Sequence, residues 1–423
     1  MTLTMLFGFA VLMVLGLPVG YALILSATIA LVIIGDLPST VILLKVFQPL
    51  QNFVLIAIPF FILSGALMMT GSLGQRLIAF ATRLVGRFRG GLGQVNVAGS
   101  ALFGGVSGSA VADASAIGGM LIPWMSREGY PPPLSAAITA SSSIISVLIP
   151  PSIPLILYAT VSNESVAGLF VAGIVPGLML VLGLAFVCWL MGYLRDLPLF
   201  SGDDNSTSLG RALATAAPAI SLPLLIVLLL RFGIATPTEV SVLAVGYALL
   251  LRVAIYRDLT VNAFVTSLLA TLVTTGVVMI VIAASNLVGY VLAFENIPSR
   301  VSDWALTVFS EPWQIILMMN LAMLIVGMFI DLSAAILLLA PLFVTMANAI
   351  GLNLTQLGVM MTINLAIGLF TPPVGTTLFI SSAIAKVNVG AVARELWPFY
   401  LVAASVLLLV AFVPSLTTFL QES

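Results

Sequence analysis

The sequence predicts an all-α membrane protein made of two inverted repeats, with about ten transmembrane helices and two re-entrant helical hairpins. Three observations predict it. The composition suits lipid and not water, the basic residues sort to one side only if the chain turns back twice inside the membrane, and the second half repeats the first.

Of the 423 residues, 61% are hydrophobic and 7% charged, and the mean hydropathy is +1.24. A globular domain carries roughly a quarter charged residues, and so few could not cover a soluble surface of this size. The 14 Lys and Arg nearly balance the 15 Asp and Glu, so no nucleic acid is implied. The chain has no His, which removes the commonest metal ligand, the neutral-pH proton shuttle and any Ser-His triad. Its one cysteine, Cys188, excludes an intramolecular disulfide or a Cys cage. There is no phosphate-cradling Gly-Lys-Ser loop, and no base accompanies the abundant Ser. The reading is therefore not an enzyme and no organic cofactor. The apolar N-terminus has no basic start and runs through LGLPVG into a second apolar run; it reads as retained helices and not as a cleaved signal peptide.

A crossing helix needs about 20 apolar residues. Such runs fall near 3–16, 19–35, 53–71, 134–159, 167–194, 214–232, 237–255, 263–294, 357–385 and 394–418, the first of them short. Two further stretches, 95–123 and 313–345, are interrupted by GGVSGSA and VGMFIDLSAA and read as hairpins that enter and turn back. With both as hairpins and the N-terminus outside, every basic residue except Lys45, Arg231 and Arg300 faces the cytoplasm, as short-loop Lys and Arg should. As single crossings they would send Arg127, Arg195, Arg211, Arg252 and Arg257 outside and leave a weak split.

The polar stretch SGDDNSTSLGR (201–211) marks a cytoplasmic linker, 196–212, between a first repeat at 1–195 and a second at 213–423. At an offset of 218 residues, Asp113 falls on Asp331 and Pro123 on Pro341; at 222, Pro150 and Pro151 fall on Pro372 and Pro373. A four-residue loop difference would account for the change. Weak internal symmetry with interrupted segments at matching positions is the sequence sign of a secondary-transporter binding site.

In IPPSIP and TPPVGTT, Pro-Pro breaks the helices 134–159 and 357–385, because proline lacks an N–H and clashes with the preceding turn. The freed carbonyls need partners in hydrocarbon. A sodium ion would serve, since hard cations take oxygen ligands, and Ser146, Ser152, Thr371, Thr376 and Thr377 add hydroxyls. The half-helix after each break offers free N–H groups to a carboxylate. GGVSGSA (104–110) reads as a hairpin tip, where glycine permits positive φ and close approach and Ser107 and Ser109 supply hydroxyls; close packing of helices through small residues is the other reading. Asp113 and Asp331 are intramembrane carboxylates, expected to face protein, water or an ion; ion ligation and hairpin capping both fit them. Glu239 reads as part of a helix cap with Thr236 or Thr238. Residues 71–91, with Arg76, Arg83, Arg87 and Arg89 among apolar side chains, form an interfacial amphipathic helix, either a linking arm or a passive anchor.

The chain resembles the large membrane (M) subunit of TRAP (tripartite ATP-independent periplasmic) transporters over essentially its full length. The motifs that carry the resemblance are IPFFILSGALM (58–68), GGLGQVNVAGSALFGGVSGSAVADASAIGGMLIP (90–123), IPPSIPLILYA (149–159), LFVAGIVPG (169–177), TPTEVSVLAVGYA (236–248) and FTPPVGTTLF (370–379). The resemblance implies an elevator-type ion transporter fold and sodium-coupled uptake of an organic acid, such as a C4-dicarboxylate or a sialic acid, across a bacterial inner membrane. Both termini are then periplasmic. The implied partners are a separate small four-helix membrane subunit and a periplasmic substrate-binding protein, besides the carboxylate and the bilayer. Sodium is expected near Ser107, Ser146, Ile149 and Pro151, and near Gly368, Thr371 and Pro373. The candidate substrate residues are Ser107, Gly108, Ser109, Ser152, Asp331, Gly375 and Thr376. Two alternatives remain: a single-component sodium/carboxylate transporter of related fold, which would need no binding protein, and an ion-translocating subunit of a larger complex. The latter calls for intramembrane Lys, Glu or His relays, and no His is present and no Lys is placed mid-membrane.

Overall fold

The computed structural model describes residues 1–34, 39–69, 71–198 and 208–422, and every regular element among them is a helix. The middle of the expected linker, 199–207, lies outside the described residues. Each of the ten apolar runs coincides with a helix or a broken helix. Length and composition alone qualify five helices as membrane spans, or up to seven if two bent pairs are each one span. Six shorter apolar helices of 10–17 residues accompany them, and three of these, Ile153–Ser162, Pro312–Gly327 and Leu354–Leu369, are pieces of the interrupted segments.

Glycine and serine shape the first hairpin. Its arms are Gly91–Ser107 and Ala110–Arg127. They run antiparallel: Asn96 lies beside Met125, and Gly99 faces Ile117. Gly108 makes the reversal at φ +59°, a conformation in which L side chains are strained. The second hairpin has arms Pro312–Gly327 and Leu332–Ile350 and a longer tip, 328–331.

The broken helices follow their hairpins. The first is Pro132–Ser142, a 3-10 stretch Ser143–Val147, then Ile153–Ser162 beyond the prolines. The second is Leu354–Leu369 and Thr376–Ala385. Both Pro-Pro bonds are cis.

Packing relates the halves by exchange. Ala57–Met69 packs on Pro237–Leu250, and Val261–Phe294 packs on Val19–Ile34. Likewise Thr376–Ala385 packs on Ala110–Arg127, the second arm of the first hairpin, while Ile153–Ser162 packs on Leu332–Ile350, the second arm of the other. The register of the repeat differs from the one read in the sequence. Side chains of Ser109 and Asp331 cap the second arms of the two hairpins, and these residues are 222 positions apart, as are the helix starts Pro132 and Leu354. The match of Asp113 to Asp331 at 218 is thus four residues out, about one helical turn. One turn restores the same face, so the false register looked apolar in the right places.

An amphipathic helix precedes each hairpin. Leu73–Val85 is the one read from the sequence; Ile297–Val308 holds the matching place in the second half. Beside the first, the guanidinium of Arg252, 1% exposed, is held by Asp258 Oδ1 at 3.0 Å and by the carbonyls of Leu67 and Asp258. Asp258 in turn accepts from the backbone and the hydroxyl of Ser72, each at 2.8 Å.

Candidate functional site

The first hairpin seats its tip on the first break. A Cβ built on Gly108 would come within 2.2 Å of the Pro151 carbonyl oxygen, and one on Gly104 within 2.6 Å of Ser146 Cα. Only hydrogen permits either approach. Ile149 fills the space between Gly105 and Gly177, at 3.6 and 3.4 Å from their Cβ positions. Ser107, Gly108, Ser109, Ser146, Ile149, Pro151 and Ser152 therefore form one cluster. The second half repeats the seat: a Cβ on Gly368 would lie 2.3 Å from Gly327 O.

A polar zipper that the sequence did not announce holds each seat one turn away. Asn96 donates to Thr139 Oγ1 at 2.7 Å and accepts from Ser142 Oγ at 2.9 Å, and Ser100 donates to Ser142 at 3.1 Å. In the second half Asn364 donates to Asn320, to its side-chain oxygen at 2.8 Å and its carbonyl at 2.9 Å. Ser142 and Asn364 are again 222 apart. The available signal was an Asn in the middle of the first arm of each hairpin, Asn96 and Asn320, among mostly small or apolar residues.

Several hydroxyls assigned to ligands have structural partners. Ser109 Oγ accepts from Ala112 N at 3.4 Å. Ser152 donates to Val147 O across the break and accepts from Leu155 N at 3.3 Å. Asp331 accepts from Ser333 N at 3.0 Å. Ser146 and Thr371 bond back to Ser143 O and Ile367 O at 2.6 and 2.7 Å. Glu239 forms a capping box with Thr236, as expected.

The start of Thr376–Ala385 differs. Of the four helix starts at hairpin tips and breaks, it alone has no side-chain cap, and the buried Thr376 Oγ1 has no hydrogen-bond partner. At its N-cap, Gly375, the carbonyl oxygens of Leu369 and Thr371 converge, 3.0 and 2.9 Å from a Cβ built there. The break thus presents hydrogen-bond donors and oxygen acceptors side by side. The acceptors suit a hard cation and the N-terminus an anion. Thr377 ties this site to the other half, donating to Leu369 O at 2.9 Å and Ala140 O at 3.2 Å. Tyr400 braces it from behind: its hydroxyl donates to Phe370 O at 2.8 Å and its ring stacks on Phe370 at 5.0 Å. Pro373 and Val374 stay exposed at the break. No hydrogen bond joins Asp331 to Gly375 or Thr376 among the described residues.

Asp113 is the outlier. It is fully buried in the first turn of Ala110–Arg127, and neither carboxylate oxygen has a hydrogen-bond partner. Capping is done by Ser109, so that role is closed to it. A buried charge without a partner is costly, and the site needs a cation or a proton to be complete. No group of three or more His, Cys, Asp or Glu is placed to hold a metal among the described residues, so any cation would rest mainly on carbonyls and hydroxyls.

Comparison with known proteins agrees in one direction. Residues 6–416 match the family described as "Tripartite ATP-independent periplasmic transporter, DctM component". The chain is 51% identical over 423 residues to the uncharacterized protein y4mL of Sinorhizobium fredii, covering 99% of this chain and 100% of that one. It is 36% identical to the sialic acid TRAP transporter large permease protein SiaM of Vibrio cholerae, over 99% and 97% of the two chains. It is 37% identical to the C4-dicarboxylate TRAP transporter large permease protein DctM of Pseudomonas aeruginosa, over 88% and 87%. Among solved structures, the YdaH transporter of Alcanivorax borkumensis shares the fold at a TM-score of 0.61 and 14% identity, over 86% of this chain and 85% of that one.

Proposed function

From the premise that the chain belongs to the DctM component family of tripartite ATP-independent periplasmic transporters, we propose that it carries an organic acid inward across the cell membrane, driven by sodium. As a large permease subunit it is a multi-pass membrane transporter and not an enzyme. Its substrate is a carboxylate of the sialic acid or C4-dicarboxylate kind, the chemistry that the names of the two relatives share. A periplasmic binding protein delivers it, and a small membrane subunit completes the assembly.

The observation that carries this reading is the pairing at Gly375. A carboxylate docks on the uncapped start of Thr376–Ala385 and on Thr376 Oγ1, while sodium takes the carbonyls of Leu369 and Thr371 beside it. Each ion lowers the cost of burying the other, so neither binds well alone. A second sodium sits at the first break, near the carbonyls of Ile149 and Pro151 with Ser107 and Ser146, and Asp113 supplies the balancing negative charge from within the hairpin. The seats at Gly108 and Gly368 let each hairpin and break move as one body, which is what an elevator motion requires.

The test is uptake into proteoliposomes holding the assembled complex, with radiolabelled succinate or N-acetylneuraminate, a cognate binding protein, and an inward sodium or potassium gradient. Uptake with sodium and not with potassium supports the proposal. Carboxylate uptake of equal rate in both gradients overturns the coupling, and equal uptake without any binding protein points to a single-component transporter.

A further inference from the structure

On the side where the basic residues gather, a cavity of about 860 Å³ opens between Leu73–Val85, the second arm of the first hairpin and the start of Leu209–Arg231. Four arginines line it: Arg76, Arg83 and Arg87 from one wall, and Arg127 from the hairpin. None of them is in an ion pair among the described residues. Arg76 lies over the Tyr256 ring, Arg87 over the Phe88 ring, and Arg127 donates to the carbonyl of Pro123, so three of the four are held in place by contacts that leave their charge uncompensated. Four like charges around one cavity make a strong anion-attracting potential, and the wall between them is neutral.

One helix, the second arm of the first hairpin, runs from the tip to this cavity, which its residues 119–127 line. Ser115, Gly119, Pro123 and Arg127 are exposed at successive turns of Ala110–Arg127, whose cap is Ser109 at the tip. A Cβ on Gly119 would meet nothing within 4 Å. Gly119 is ten residues from Ser109, about 15 Å along the helix. The exposed track is narrow, Ser115, Gly119 and Pro123 being small and Arg127 charged, while Ile78, Met120, Leu121 and Trp124 supply the apolar part of the cavity wall. The matching cavity in the other half, where Ile297–Val308 meets the N-terminus, is about 490 Å³, and no hairpin residue lines it; there Glu295 pairs with the terminal amine at 2.9 Å.

We infer that the arginine cavity is the release vestibule, an anion site that the carboxylate of the transported acid occupies between the hairpin tip and the cytoplasm. This rests on the carboxylate-transport reading above. Its occupant is the transported carboxylate; a lipid phosphate is an outcome of the test.

The test reads the cavity without transport or sodium. The full chain carrying Gly119→Cys and Cys188→Ala is reconstituted in phosphatidylcholine vesicles. It is treated from each face with anionic and cationic methanethiosulfonates of similar size. Modification is expected from the inner face only, with the anionic reagent favoured by about tenfold. Arg83→Gln with Arg127→Gln should erase that preference, and succinate should slow the anionic reagent more than chloride at equal ionic strength. Equal rates for both reagents, reaction from the outer face, or succinate acting no better than chloride would each overturn the inference. So would protection of the cysteine from both reagents in phosphatidylglycerol vesicles at high ionic strength, where the surface potential is screened, because the occupant would then be a lipid headgroup. Sodium-driven uptake could still stand in any of these cases, so the two readings fail separately.

Discussion

Ser109 and Asp331 do the same work 222 residues apart: each caps the second arm of its hairpin with a side-chain oxygen, at 3.4 Å to Ala112 N and 3.0 Å to Ser333 N. Exchange of the two chemistries should therefore be tolerated in the second half. Asp331→Ser is expected to keep most of the cap, and Asp331→Ala to lose about 0.5–2 kcal/mol. Thermal melts of the purified protein compare them. Equal losses for Ser and Ala would assign Asp331 another role.

The seats of the hairpins are steric. Gly368→Ala places a Cβ 2.3 Å from the Gly327 carbonyl, and Gly104→Ala one 2.6 Å from Ser146 Cα. Either should cost about 1–3 kcal/mol or more or abolish folded yield. Gly119→Ala, with nothing within 4 Å, should stay within about 0.5 kcal/mol of the parent. Size-exclusion profiles and melts in detergent separate the cases, and a harmless Gly368→Ala would refute the seat.

Asn364→Ala removes both bonds to Asn320 and leaves the buried Asn320 amide oxygen unpaired, while its carbonyl keeps its bond within Pro312–Gly327. The cost should be about 1–3 kcal/mol. Asn364→Ser, copying Ser142 in the other half, should recover part of it. Melting temperatures that rank Ala and Ser alike would show that the zipper is not what holds the second seat.

Asp258 carries a pH signature. Burial pushes its carboxyl up, but the backbone and hydroxyl of Ser72 and the Arg252 guanidinium outweigh that and hold it below the usual carboxylate range. A folded value below the unfolded one gives stability that is fully present above the unfolded value, near 3.9, and lost as pH falls through the folded one. Stability between pH 7 and 5 should thus be insensitive to this group and decline below about pH 4. Asp258→Asn should remove that acid-side loss while destabilising at neutral pH, since it leaves Arg252 buried without its counter-charge. Urea unfolding across pH checks both signs.

Much of this was legible in the chain, for local reasons. Pro150, Pro151, Pro372 and Pro373 break helices wherever they stand, and Gly108 reverses a chain by its own backbone freedom. The hairpins followed from where the arginines would fall. What was not legible depended on contacts between distant segments. Whether Ser109, Ser152 or Asp331 caps a helix or faces a ligand turns on the exact first residue of that helix, which composition does not fix. The same blur allowed Asp113 to be set against Asp331, one turn out of register. Asn96, Ser142, Asn320 and Asn364 pair across neighbouring elements, and nothing in their own neighbourhoods announces it. Ile297–Val308 was missed because its Pro298, Ser299, Arg300, Ser302 and Asp303 hide its apolar face from a search for 20-residue apolar runs.

Sodium binding at the hairpin tips and breaks, as proposed here, should be visible in the stability of the folded protein. Its most direct test is the melting temperature of the purified protein in sodium chloride against choline chloride at equal ionic strength, with Ser107→Ala and Asp113→Asn alongside. A ligand that binds only the folded state stabilises it by mass action. A saturable rise with sodium is expected, diminished in both variants. No sodium-specific rise at concentrations well into the tens of millimolar, or a rise that both variants keep in full, would contradict it.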